Sequence, residues 1–343
     1  MSTGIPATGR DVLWSRRLLQ FRDLGIAAVV VTLVAVFGFI QPLFLRPENL
    51  GAIVLSIGIL LLLAIGQMMV IVTRNIDLSV GSVLGLAAMA AGIVGRDHPE
   101  LTTPVLVLIA IGVGSAAGVI NGLLVTLGEV PPIIATLGTM AMFRGLVFVI
   151  SGSRQVDPQD VPAGIRELAI SSPFGVPWLV ILGAIVAITA WFLTRRTLTG
   201  RRLFAIGSNP EAARARGLNV FGLTLGVFVV SGALAGLGGV LYLSRYATVN
   251  PADAGLGFEF TAISAVVIGG TTIFGGSGTV IGTVLGCVLV GLLGNGLTVI
   301  GVSGFWQSAA YGAVILIAVM IDTVFRKRLD VQQSRRRRAE AAA

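Results

Sequence analysis

Long unbroken apolar stretches recur along this chain, and no other feature of the sequence restricts its fold so severely. Residues 24–44, 50–72, 103–127 and 220–243 are each long enough to cross a bilayer, which takes about 20 apolar residues. In hydrocarbon every backbone N–H and C=O must find a partner within the protein, so spans of this composition are helical. Reading the shorter apolar runs the same way gives ten spans, at about 24–44, 50–72, 79–95, 103–127, 132–150, 175–193, 220–243, 260–273, 279–299 and 304–325. The third, fifth and eighth are short or interrupted by glycine and proline, so eight or nine spans with re-entrant pieces stay open. The expected fold is an all-α polytopic membrane protein. Residues 1–23 form a cytoplasmic tail, 24–325 the transmembrane domain and 326–343 a basic cytoplasmic tail.

Composition agrees. Of 343 residues 55% are hydrophobic and only 12% charged, about half the charged share of a soluble domain. The 46 glycines suit close helix contact in lipid. Cys287 is the single cysteine and lies in an apolar run, which excludes a disulfide framework and a cysteine metal site. His98 is the single histidine, in the loop-like GRDHPE, and reads as a surface residue. No catalytic triad, metal site or cofactor site is expected. MSTGIPATGRDVLWSRR is polar and basic, and the apolar run after it is too long for a cleavable signal.

Basic residues set the orientation. With the N-terminus in the cytoplasm, eighteen fall inside, only Arg46, Arg96, Arg154, Arg166 and Arg245 fall outside, and Arg144 lies within a span. That asymmetry follows the positive-inside rule and places both termini in the cytoplasm. The outer face then carries eight acids, Glu259 among them, and is net negative by three. SVGSVLG (79–85) and GSGTVIG (276–282) each open a span, and INGL (120–123) and GNGL (294–297) recur downstream. These matches suggest two halves related about the membrane normal.

GSNPEAARARGLNV, at 207–220, does not belong with its surroundings. Asn209 can cap a helix by accepting a free backbone N–H, and Pro210 suits the first helical position, where no N–H is needed. Glu211 complements the positive end of the helix, and Arg214 and Arg216 the negative end. Gly217 supplies a left-handed stop. The spacing predicts a helix over 210–216, about 10 Å long at 1.5 Å per residue. Inserting the six arginines of 195–216 into the membrane would cost roughly 15–20 kcal/mol, at about 2.5–3.5 each. Residues 194–219 are therefore a cytosolic loop. So short a helix falls below the ~12–15 residues that give marginal stability in water. It must dock, either on the chain's own inner face or in a groove on a cytosolic partner.

TGRRLFAIGSNPEAARARGLNV, with Gly200, Arg201, Asn209, Pro210 and the E-A-A-x-x-x-G of Glu211, Ala212, Ala213 and Gly217, resembles the coupling loop of ABC-type import permeases. TRNIDLSVGSVLGL (73–86), IIATLGTMAMFRG (133–145) and AISAVVIGGTTIFGGSGTVIGTVLG (262–286) resemble the sugar-permease branch that includes ribose, xylose, rhamnose and autoinducer-2 systems. With NGLTVIGVS (295–303), the resemblance extends over residues 50–325. It implies the membrane subunit of a binding-protein-dependent monosaccharide importer in the bacterial inner membrane. Its partners would be ABC ATPase subunits, a soluble sugar-binding protein and a second permease chain, identical or related. In such importers the short cytoplasmic helix sits in a groove of the ATPase and carries its motion to the pore. The chain has no nucleotide site of its own: a P-loop needs a lysine, and GGTTIFGGSGT has none. The single lysine is Lys327.

Other residues admit two roles. Asp77, where the second span ends, can cap the third, or act with Asn75 and Ser79 as a gate contact at the inner mouth. Arg144 can snorkel to the outer interface or serve the path as an ionisable residue within a span. Gln67, Asn121, Thr136, Thr139 and Asn295 can bond helix to helix, at about 0.6 kcal/mol each, or meet sugar hydroxyls. The outer loop 151–174 is a candidate dock for the binding protein, with Arg154, Arg166 and Arg245 as contacts. RRRR at 335–338 reads as an anchor to the inner leaflet and not as a nucleic-acid site. Two rival classes remain. A secondary ion-coupled transporter needs a mid-span acid, and every Asp and Glu here falls at a predicted span end or in a loop. A branched-chain amino acid ABC permease fits TRNIDLSVGS and the glycine turn less well. TRNID leans toward rhamnose-like or autoinducer-2-like systems.

Overall fold

The computed structural model describes residues 9–320, apart from 170, 173, 174, 305, 314, 315, 318 and 319, with side chains from residue 25 onward. The basic tail, including Arg335 to Arg338, and the end of the tenth predicted span lie outside the described residues.

The elements of the described residues are helices. They are α1 (Gly9–Ile40), a 3-10 turn (Pro42–Leu45), α2 (Pro47–Val72), α3 (Val80–Asp97), α4 (Thr103–Thr126), α5 (Pro132–Ser151) and α6 (Ala163–Leu168). These are followed by α7 (Trp178–Arg196), α8 (Leu198–Ser208), α9 (Pro210–Ala215), α10 (Val220–Tyr246), α11 (Phe258–Ile268) and α12 (Val280–Val299). Residues 304 and 306–313 are helical again. Proline stands in the first turn of α2, α4 and α5, where its missing N–H costs nothing.

Among the described residues seven helices, namely α2, α3, α4, α5, α7, α10 and α12, are long and apolar enough to cross a membrane. The chain is polytopic. The eighth predicted span is corrected: α11 has 11 residues, about 16 Å of helix, against a hydrocarbon core about 30 Å thick. It is a half-span. The irregular segment 247–257 leads into it and lies across α3, with Ala254 over Gly85 and Gly255 against Gly81.

α2 is the axis of the bundle. Every residue from Gly58 to Val72 is buried, as suits a helix apolar on nearly all sides, with Gln67 its one polar side chain there. α10 packs on it and on α3 and α4. Gly114 and Gly118 of α4 meet Gly232 and Gly236 of α10, where a Cβ at any of the four would strike backbone of the facing helix. Small residues four apart on both helices permit this approach.

The bundle has two ends. α8 and α9 cap one. Gly207 of α8 abuts the Val72 carbonyl at the end of α2, which also accepts from the Gly276 N–H at 2.9 Å. The glycine-rich turn after α11 thereby clamps the end of α2 to α8. α6 caps the other end, where Val156 and Val249 form an antiparallel bridge. The suggested internal repeat loses its second match. INGL lies on α4, a separate helix from the one SVGSVLG opens, whereas GNGL and the end of GSGTVIG share α12.

Candidate functional site

At the α8–α9 end, Asn209 caps α9 as its sequence requires: its Oδ1 accepts from the Ala212 N–H at 2.9 Å. The helix ends at Ala215, with Arg216 as its C-cap, one residue short of the expected 210–216. Gly217 takes φ +77° with open space around it, and the Leu218 N–H closes the end on the Ala213 carbonyl at 3.1 Å. Only Ala213 of α9 is buried. Glu211, Ala212 and Arg214 are exposed. The loop expected over 194–219 is more ordered than its sequence suggested, because α7 runs to Arg196 and α8 fills 198–208. Gly200 serves that junction. A Cβ there would strike the last turn of α7 at Leu193 and Thr194, so its role is internal, while Arg201 beside it is exposed. A cleft of about 630 Å³ opens beside α9, lined in part by Arg74, Asn75, Glu129, Pro210 and Arg214.

Six of the predicted polar residues meet in one buried knot. With its amide oriented by its partners, Gln67 of α2 pairs with the Asp77 backbone, donating to the carbonyl at 3.1 Å and accepting from the N–H at 3.2 Å. Asp77 Oδ1 accepts from the Ser79 N–H at 2.8 Å and hydroxyl at 2.7 Å. Asn121 of α4 donates to Ser79 Oγ at 2.7 Å, and Thr139 of α5 donates to Asn121 Oδ1 at 2.6 Å. The Thr136 hydroxyl faces the Ile76 carbonyl at 3.1 Å. Asp77 therefore does not cap α3. Ser79 occupies that position, and Asp77 forms a turn ahead of it. Burial pushes its carboxyl pKa up, and the two bonds from Ser79 partly hold it down. The members satisfy one another, while Asn75 stands apart, bonded to Thr73 and lining the cleft beside α9.

The remaining candidates lie toward the α6 end. Arg144 of α5 donates to the Ala254 carbonyl at 2.7 Å, tying α5 to segment 247–257. Asn295 of α12 exchanges amide bonds with Asn49 of α2, both at 2.9 Å. Arg154 and Arg166 are exposed. Arg245 is not an outward-facing arginine: it turns into a cleft, donates to the Ala52 carbonyl at 3.1 Å and lies 5.0 Å from the Tyr246 ring. Glu259 corrects the outer charge count, being only 3% exposed at the head of α11 with Oε2 unpartnered among the described residues. NPADAGLGFEF reads as an outer loop, and its one hint of this descent is the pair Gly255 and Gly257, both at positive φ.

Known proteins share this arrangement of sequence. The family model described as branched-chain amino acid transport system / permease component matches residues 49–321. The ribose import permease protein of Escherichia coli (strain K12) is 37% identical over 323 residues, covering 92% of this chain and 97% of its own. The D-allose transport system permease protein of the same strain is 36% identical, over 88% and 92%. The autoinducer 2 import system permease protein of Enterobacter sp. (strain 638) is 35% identical, over 93% and 91%. No solved structure matches the chain. The chain belongs to this permease family, as the permease component of a transport system and not as an enzyme.

Proposed function

We propose that the chain is the membrane-crossing permease of an ATP-driven importer for a monosaccharide or related sugar-like solute. The relatives named for ribose, allose and autoinducer 2 support that substrate class over branched-chain amino acids. The observation that carries the mechanism is α9, a capped helix too short to stand alone that leaves most of its surface free. It enters a groove of a partner ATPase and passes the ATPase motion through α8 to α2 and the glycine turn, which meet at Gly207. The α8–α9 end faces the cytoplasm of a bacterial inner membrane, with both termini on that side. The α6 end faces outward and receives a soluble binding protein on Arg154 and Arg166. A second permease chain completes the pore. α5 suits it, burying one face at Ala135, Thr139 and Phe143 and exposing Ile134, Met142 and Val149 on the others.

One observation favours a second reading. Glu259 is the buried acid that an ion-coupled carrier would use. Uptake by proteoliposomes holding the permease, its ATPase and its binding protein separates the two. Ribose or allose should enter only with ATP and binding protein, and leucine should not compete. Uptake driven by a proton or sodium gradient without ATP would reverse the reading.

A further inference from the structure

A cleft of about 510 Å³ opens at the α6 end between α2, α10, α11, α12 and the helical residues 304 and 306–311. Tyr246, Thr298 and Gly304 stand at its mouth, at the outer ends of their segments. Ile59, Leu60 and Val290 form its floor, halfway along α2 and α12. It thus descends from the outer surface to the middle of the bundle and meets the head of α11 at Gly257 and Phe258. Its volume falls within the ~300–1,000 Å³ of small-molecule sites.

The lining has a definite chemistry. Arg245 donates through Nη2 to the Ala52 carbonyl, but its Nη1 is buried with no partner among the described residues. A buried charged donor without an acceptor is costly, so a ligand oxygen placed there gains more than it would at a surface. Gln307 spends its Nε2 on Thr298 Oγ1 at 3.0 Å and the Val302 carbonyl at 3.2 Å. Its Oε1 and the Tyr311 hydroxyl converge over Gly294, where any Cβ would strike that hydroxyl. Thus Gly294 keeps the cleft open. Tyr246, Tyr242 and Phe258 form an aromatic cluster, with centroids 4.6 Å apart for the two tyrosines and 6.2 Å for Tyr242 and Phe258. Tyr246 and Phe258 reach the cleft.

Polar side chains and aromatic rings together in one lining suit a compact solute that carries both hydroxyls and C–H bonds. Among the described residues no Asp or Glu lines the cleft, so the ammonium group of an amino acid would find no counter-charge there. Arg245, the one cation that lines it among the described residues, has only Nη1 to offer, since Nη2 is held by a carbonyl and the guanidinium lies over a ring, which fits a neutral solute better than an anion. We propose that this cleft holds the transported solute on its way inward, a neutral polyhydroxylated ring that contacts Arg245, Gln307 and Tyr246. The proposal rests on the sugar-importer reading given above.

The test uses the whole reconstituted complex with ribose and allose as probes. Arg245→Gln and Gln307→Leu should each lower sugar uptake about tenfold, the loss of roughly one good hydrogen bond to the solute. ATP hydrolysis stimulated by the binding protein should persist. Tyr246→Phe should transport and Tyr246→Ala should not. A second readout covers variants that fold poorly: Thr298→Cys in a Cys287→Ala background should react with an impermeant maleimide, and sugar should protect it. Sugar import at unaltered rate in both polar variants, with no protection at 298, would overturn the cleft and leave the importer reading intact. A wild-type complex that imports leucine and neither sugar would overturn both. Protection by anionic phospholipid and not by sugar would mark a lipid site and overturn the proposal.

Discussion

Asp77 shows how a residue legible by type is misread by role. TRNIDLSVGS looks like a turn feeding a helix, and a carboxylate there looks like a cap. In the structure Asp77 is 2% exposed and bonded to Ser79. Its pKa lies above the ordinary 3.8 because burial disfavours the ionised form. For a carboxyl raised in the folded state, ionisation costs stability as pH climbs through the folded value, and below the unfolded value no cost remains. Asp77→Asn keeps an acceptor for Ser79 and cannot ionise. It should therefore be at least as thermostable as wild type at neutral pH, with the difference vanishing at acid pH. Asp77→Leu removes the acceptor from the buried Ser79 N–H and hydroxyl and should cost about 1–3 kcal/mol. A melting series of purified variants against pH checks both. Polar residues stand out in apolar runs, so Gln67, Asn121, Thr136 and Thr139 were visible in the sequence. Their mutual bonding was not. Asn121 lies 42 residues from Ser79 and 18 from Thr139 along the chain, and only the packed bundle joins them.

Among elements, the long spans and α9 announce themselves because each carries a complete local signal. Apolar length gives the first, and cap, proline and glycine stop give the second. α8 and α11 do not. α8 was hidden by arginines that read as loop, and α11 by an apolar run that continues into GGTTIFGG with no local sign that the helix stops at Ile268. Their junction predicts a contrast between two variants. Gly207→Val would drive a side chain into the Val72 carbonyl and the Gly276 N–H. It should destabilise the purified permease by about 1–3 kcal/mol, the usual cost of overpacking. Glu211→Lys puts positive charge at the positive end of exposed α9, a loss of only about 0.3–1 kcal/mol. It should leave the melting temperature nearly unchanged while weakening ATPase binding. A Glu211→Lys protein that melts as early as Gly207→Val would show α9 to be part of the core.

At the scale of the molecule, the arginine count gives an orientation that labelling can check. In a Cys287→Ala background, cysteines at the exposed Ser153 and Ser208 mark opposite ends of the bundle. An impermeant reagent on intact cells should modify the first and spare the second; the opposite pattern would invert the topology. Membership in a permease family was legible because its motifs are spread over most of the chain. The division of labour between a buried polar knot at one end and an open cleft at the other was not, since both are made by contacts between distant helices.

The central claim is that α9 carries ATPase motion into the membrane, and Gly217 offers the cleanest measurement of it. Valine at φ +77° meets no neighbour but resists the left-handed conformation by about 1–2 kcal/mol. The strain thus falls on the stop of α9 and not on the bundle. In proteoliposomes holding the whole complex, sugar uptake and ATP hydrolysis stimulated by the binding protein are measured together for wild type and Gly217→Val. The account predicts that wild type accumulates sugar only with ATP. Gly217→Val should insert normally yet lose most of its uptake per ATP hydrolysed. Wild-type uptake per ATP in Gly217→Val, with the ATPase still bound and stimulated, would contradict it.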